Sequence, residues 1–420
     1  MSARGVDRER ANGTPAGGGR LAGLRRRWRP GDWTGDASAL TVVTALLVVL
    51  GLVMSFSASF VPAAEAGDAF AILRRQLYWA GLGVPAFWLA ANLDHRIWRR
   101  IAWPLLAVAL IGLVLVLVPG IGAERYGSTR WLALGPLSVQ PSELAKLATL
   151  LWLADVLERK RPADGSVHPP DHLFIPAVPL LLVLAALTLA QPDLGTTILL
   201  ALIVAAVLWV EGLPARYVAA AGAIGLLAVG ALAAVAPYRV ARIRGWLWPE
   251  QYPLDEGFQL LQSLYALGSG GWFGLGLGSS RGKWHFIPNP ETDFIFAVIG
   301  EELGLVGSVG TLLLFASLLY LGLKTAYAAH DGFGRTVALT ITVWLVGQAL
   351  VNIGTVTGLL PITGVTLPLV SVGGTSLVSS LLALGILVSI SRSAAGADPS
   401  TASRTRPARA PRTPTRGGRP

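Results

Sequence analysis

The chain has 420 residues, of which 53% are apolar and only 14% charged; a soluble domain carries about a quarter charged residues, so a soluble globular protein is excluded. The net charge of +10 sits in the two tails flanking the apolar part, which fits segments lying near anionic lipid better than a nucleic-acid surface. There is no cysteine, so disulfides, thiolate nucleophiles and iron–sulfur sites are excluded as well.

The N-terminal tail, residues 1–37, holds eight Arg against four acids, and the C-terminal stretch 391–420 holds seven Arg against one. Both are rich in Gly, Pro, Ser, Thr and Arg and have too little apolar surface to fold, so both are expected to be disordered and basic. Between them, ten apolar spans are predicted: 39–60, 73–93, 101–118, 143–157, 173–190, 193–211, 217–236, 294–323, 335–356 and 372–391. The expected fold is an all-α polytopic membrane protein of about ten transmembrane helices. With both basic tails expected on the cytoplasmic side an even count is required, and ten satisfies it. The loops near 94–100, 158–172, 212–216 and 324–334 carry most of the loop Arg and Lys and are assigned inside, whereas 353–371 has no charge and is assigned outside. Arg74, Arg75, Arg125 and Arg130 break the rule by falling at the outer edge, which calls for another role such as anion binding.

One large extracytoplasmic loop is expected between the seventh and eighth helices, from about 237 to 292. Its opening, "PYRVARIRGWLW", alternates Arg with apolar residues and reads as a segment lying in the membrane interface. The later "GSGGWFGLGLGSSRGK" is not a nucleotide loop. Leu277, not Gly, stands five positions before the Gly of the Gly282-Lys283 pair, and Trp284 replaces the required hydroxyl residue.

Four constellations could carry chemistry. Asp293 precedes "FIFAVIG", where it serves either as a helix cap or as a functional carboxylate. Glu301 and Glu302 follow inside the span, where a charge must face a partner or a watery cavity. In "QPSELAKL", Pro141 suits a first helical turn and Glu143 and Lys146 share one face. Arg130 lies just upstream in "GSTRW". In "QPDLG", Asp193 reads first as a cap of the sixth span. Lastly, "GLLPITGVTLPLVSVGGTSL" breaks the apolar pattern with Pro and Gly, which is tolerated in a membrane only where backbone is buried in protein or lines a cavity. Together these describe a cavity open to the outer leaflet and lined by acids and bases. The five His are scattered, so no metal site is expected.

At these residues the chain resembles the SEDS family (shape, elongation, division and sporulation) of bacterial envelopes. The matching stretches, in family order, are "GSTRWLALGPLSVQPSELAKLA", "QPDLGT", "GFQLLQSLYALGSGGWFGLGLGSS", "TDFIFAVIGEELGLVG" and "GLLPITGVTLPLVSVGGTSL". "IGEELG" and "TGVTLPL" look more like the division member than the elongation member. Two departures, "IPNPETD" and Val372, bear on fine substrate contacts. The resemblance implies a SEDS glycosyltransferase domain over residues 38–392, flanked by the tails 1–37 and 393–420. It implies a peptidoglycan glycosyltransferase polymerising lipid II at the outer face of the bacterial cytoplasmic membrane, at the division septum. A cognate class B penicillin-binding protein and other division proteins are the implied partners.

The residue matching the family's essential acid is Asp293. An α-linked diphosphate donor and a β-1,4 product need one inverting displacement, with one base for the acceptor hydroxyl. The leaving diphosphate needs positive charge from side chains or from a divalent cation, and no other cofactor is implied. Arg130, Lys146, Arg74 and Arg75 are the candidates for that charge, with Glu143 orienting Lys146. Gln262 and Ser371, within two of the motifs, complete the substrate-binding set, and Glu301, Glu302 and Asp193 are expected to support it. Two rivals stand beside this reading: a transporter that flips the same lipid, and a scaffold that only recruits division proteins. The first lacks the internal repeat many carriers show; the second leaves the intramembrane charges unexplained.

Overall fold

The computed structural model describes residues 33–125, 128–135, 137–161, 169–235, 237–282 and 287–395. The expected disordered tails fall almost wholly outside the described residues. Twelve α-helices are described: α1 (Gly35–Glu65), α2 (Ala71–Asn92), α3 (Ile97–Val116), α4 (Pro141–Arg159), α5 (Pro170–Ala190), α6 (Leu194–Val210), α7 (Ala215–Val235), α8 (Pro237–Leu247), α9 (Phe258–Ser269), α10 (Ile295–Ala328), α11 (Gly332–Val356) and α12 (Gly374–Ala395). Ten of them fall on the ten apolar segments of the sequence. Six (α1, α3, α5, α10, α11 and α12) are long and apolar enough to cross a membrane. The protein is a multi-pass membrane protein.

The all-α expectation needs one correction. Residues 122–139 form a three-stranded antiparallel sheet: β1 (Gly122–Arg125), β2 (Ser128–Leu134) and β3 (Leu137–Val139) in that order. Leu132 stands opposite both Gly122 and Val139. Three short strands packed between helices give too little periodicity to separate them from a loop by pattern alone.

Helix ends follow ordinary capping chemistry. Pro141 opens α4 in its first turn, where its missing N–H costs nothing. The Asp193 carboxylate caps α6 by accepting the Thr196 N–H at 3.1 Å, and Asp331 caps α11 by accepting from Gly334 at 2.6 Å. The core is built around α11 and α12, whose apolar windows are 72% and 78% buried, against 28% for α3 and 22% for α5. The last two therefore present most of their surface outward, as lipid-facing helices do. α12 lies directly on α2, and a Cβ on Gly385 would meet the Phe87 carbonyl at 2.4 Å. Small residues permit this backbone-to-backbone approach, which supplies packing where lipid offers no hydrophobic drive.

Apart from Glu301 and Glu302 within α10, many of the charged residues gather at two ends of the bundle. At one end, residues of the loops assigned inside pair with each other or with the adjoining helix ends: His95 with Asp331 at 2.9 Å, Arg99 with the fully buried Asp155 of α4 at 2.8 Å, and Arg161 with Glu211 at the end of α6 at 2.8 Å. At the other end lie β2, the start of α4, α8, α9 and the segments 287–293 and 361–373. Trp246 of α8 donates to the Gly358 carbonyl at 2.8 Å, and Ser263 of α9 donates to the Val356 carbonyl at 2.7 Å. The long loop thus carries two α-helices, α8 and α9, and is fastened to the end of α11.

Inside α10 the helix is broken at Gly304, whose φ is 66°. The glycine-rich stretch splints the break. Leu305 and Val306 donate backbone N–H groups to the carbonyls of Gly271 and Trp272 at 2.9 and 3.1 Å. Leu275 and Gly276 donate to those of Glu301 and Glu302 at 2.9 and 3.1 Å. A helix broken within an apolar span must have its freed backbone groups paired, and the glycines let the second strand come close enough to pair them.

Candidate active site

A cavity of about 340 Å³ opens at the second end of the bundle, lined among others by Arg130, Glu143, Lys146, Asp193, Arg242, Asp293 and Gln348. Each element delivers its residue for a local reason. Pro141 sets the first turn of α4, so Glu143 and Lys146, three apart, stand on one face. β2 carries Arg130 to the mouth, where it lies 3.6 Å from Asp193 and its Nε donates to the Gln191 carbonyl at 3.3 Å. Asp193 is both a cap and a cavity residue, holding Arg130 in place and accepting from Thr196 Oγ1 at 2.8 Å.

Lys146 is 1% exposed. Its Nζ donates to Glu143 Oε1 at 2.9 Å and to Gln348 Oε1 at 3.0 Å, and it stands 5.2 Å from the centre of the Trp344 ring. A buried ammonium is costly unless paired, and the carboxylate, amide and ring face meet that cost together. An ammonium has three N–H donors; two are engaged in these contacts, which leaves one for an anionic oxygen in the cavity.

Asp293 does not cap α10. The N-cap position is Phe294, with no side-chain bond. The Asp293 carboxylate lines the cavity and accepts from Thr292 Oγ1 at 2.9 Å. Loss of water around it raises its carboxyl above the ordinary aspartate range, while the Thr292 hydroxyl and the Arg242 charge pull the other way. A carboxylate poised in this fashion suits proton transfer.

Glu301 and Glu302, both buried, do not face this cavity. Glu302 accepts from Ser57 Oγ at 2.6 Å and from the Ser280 N–H at 3.1 Å. Glu301 accepts from Ser280 Oγ at 2.5 Å and from the Arg281 N–H at 2.9 Å. Their charges are spent on the backbone that follows the splint. Glu301 also borders a second cavity of about 280 Å³, beside Gln262 and Arg281. Gln262 is therefore not in the main cavity. Ser371 is buried and accepts the Leu367 N–H at 2.8 Å, closing the turn in which Leu369 has φ 66°. Arg74 pairs with the exposed Asp68, and Arg75 donates to Ser138 at the sheet; neither lines the cavity.

The structure thus brings together Asp293, Arg130, Glu143, Lys146 and Asp193, and sets apart Arg74, Arg75, Gln262, Ser371, Glu301 and Glu302. It adds Arg242, hidden in sequence among the arginines of an interfacial helix, and Gln348, whose one signal was an amide within an apolar span. Among the described residues no group of three or more His, Cys, Asp or Glu gathers as a metal site. The cavity carboxylates Glu143 and Asp193 are already bonded to cations of the chain, so the chemistry below is derived from the chain's own residues.

Fold and site define a helical membrane protein with a mixed-charge chamber at one end of its bundle. Residues 37–396 match the family model described as cell cycle protein, FtsW/RodA/SpoVE. The chain is 42% identical over 373 residues to the probable peptidoglycan glycosyltransferase FtsW of Mycobacterium tuberculosis, covering 88% of this chain and 71% of that one. It is also 42% identical over 354 residues to stage V sporulation protein E of Bacillus subtilis, covering 84% and 96%. A solved structure described as coordinating polymerization and crosslinking in a peptidoglycan synthase complex superposes with a TM-score of 0.69 at 34% identity, covering 86% of this chain and 98% of that one. The chain belongs to the FtsW/RodA/SpoVE family.

Proposed function

We propose that this protein is a peptidoglycan glycosyltransferase that polymerises lipid II into β-1,4 glycan strands. The observation that carries the reading is the pairing, in one cavity, of an uncommitted carboxylate, Asp293, with the cations Lys146, Arg130 and Arg242. In the reaction, Asp293 takes the proton from the acceptor sugar hydroxyl as that oxygen attacks the anomeric carbon of the donor. The bond from that carbon to the diphosphate breaks, its electron pair leaves with the diphosphate, and the configuration inverts. The cations meet the charge that grows on the leaving group, and the burial of Lys146 strengthens its part in this. Glu143 and Asp193 hold Lys146 and Arg130 rather than react.

Because lipid II is presented at the outer leaflet, the cavity end is placed outside and both termini in the cytoplasm, with ten helices crossing. The paired arginine-rich loops at the opposite end support this orientation. Likeness to FtsW supports a role in division and at the septum over one in elongation. The likeness to a peptidoglycan synthase complex supports a class B penicillin-binding partner. The test is polymerisation of lipid II by the purified protein, alone and with the co-expressed partner. Glycan strands are expected. Movement of lipid II across a bilayer with no strand formed would favour the transporter instead.

A further inference from the structure

Two amides on α11 stand four residues apart, one turn and therefore on one face. Gln348 and Asn352 are 2% and 1% exposed. Gln348 Oε1 accepts from Lys146 Nζ and from Trp344 Nε1, both at 3.0 Å, while its Nε2 donates to the Thr366 carbonyl at 2.9 Å. Asn352 Nδ2 donates to the carbonyl of Asp293 at 2.7 Å and to that of Val365 at 2.8 Å. The partners dictate both amide orientations: an ammonium and an indole N–H only donate, and peptide carbonyls only accept. Each amide therefore joins one reactive residue to one carbonyl of the same 365–366 backbone.

We propose that Gln348 and Asn352 are positioning residues that together gauge the separation of the Lys146 cation from the Asp293 base. One turn of a rigid, buried helix fixes the two anchor points, and the 361–373 segment is clamped to both. The inference rests on the glycosyltransferase reading, in which Lys146 and Asp293 are the residues that meet the substrate. A neutral amide is required at 348. A carboxylate there would turn an oxygen toward the Thr366 carbonyl and cancel the Lys146 charge that faces the diphosphate.

The test measures lipid II polymerisation by purified Gln348→Met and Asn352→Leu, with lipid II binding and thermal stability read alongside. Each variant is expected to lose on the order of 10²-fold in kcat, the scale of an ångström of misplacement, with a much smaller change in KM. In a Lys146→Met background, Gln348→Met should add little, because it acts through that lysine; Asn352→Leu should add little to Asp293→Asn. Gln348→Asn and Asn352→Gln keep every donor and acceptor but change reach by one methylene. They serve if the apolar variants do not fold, and should show the same kcat loss. Near-normal kcat, losses that multiply in full in both backgrounds, or losses that track thermal stability would overturn the proposal. Normal turnover in Asp293→Asn itself would overturn the polymerase reading, and this inference with it.

Discussion

Lys146 and Glu143 make the sharpest single-residue case, because each is buried and each is the other's charge partner. Lys146→Met strands the Glu143 carboxylate, with Ser379 Oγ at 3.4 Å as its one remaining side-chain partner among the described residues. Breaking such a pair costs about 3–5 kcal/mol, so both stability and turnover should fall. Adding Glu143→Gln should restore thermal stability without restoring turnover. A double variant that polymerises normally would make the pair purely structural. Asp293 has a different signature. Its folded pKa is raised, so ionising it works against the fold: the protonated form's advantage is complete below the unfolded value and is lost as pH rises through the folded value. Asp293→Asn should accordingly be no less stable than the native chain at neutral pH. The catalytic consequence runs the same way. Activity that needs the carboxylate should fail, on acidification, at a higher pH than for an ordinary aspartate. Arg242→Gln removes a charge that holds the pKa down and should move that acid limb of kcat/KM further up; a limb left unmoved would remove Arg242 from the site.

At the scale of elements, the broken α10 and its glycine splint explain why two glutamates sit inside an apolar helix. Glu301 and Glu302 receive the N–H groups of 280–281 just where the splint ends, so the acids, the glycines and the break form one unit. Gly304→Ala should destabilise the protein by about 1–3 kcal/mol from the positive φ alone. The clash adds to this, since the new Cβ would lie 2.3 Å from the Gly274 nitrogen. Thermal unfolding in detergent reads this directly, and a stability equal to the native chain would refute the splint. The sequence made the parts of this unit visible but not their connection. Charges in an apolar span demand partners, yet Ser280 and Arg281 lie about twenty residues upstream in a glycine-rich stretch and Ser57 lies on α1, so only tertiary packing brings them to Glu301 and Glu302. The cavity was legible for a related reason. Pro141, Glu143 and Lys146 obey local helical spacing, whereas Arg242 and Gln348 reach the cavity only through tertiary packing. Arg74 and Arg75 show the limit of charge counting: an arginine that violates the inside rule can be satisfied by a neighbouring Asp68 or Ser138 rather than by a ligand.

For the whole molecule, polymerisation at the outer leaflet requires the two charged ends to lie on opposite sides of the membrane. Reporter fusions in the 248–257 turn should report the outside and fusions at either terminus the cytoplasm; the reverse would take the cavity away from its substrate. Within that topology, the central claim is that Asp293 is retained as a base and not as a cap. Asparagine is the discriminating replacement, since it keeps the side chain's shape, accepts the Thr292 hydroxyl and leaves the backbone carbonyl for Asn352, but holds no proton-accepting charge. The measurement is the rate of glycan strand formation from lipid II by the purified Asp293→Asn protein. The predicted result is a loss of about 10²–10⁴-fold with lipid II binding and membrane insertion intact. Strands made at close to the native rate would contradict it.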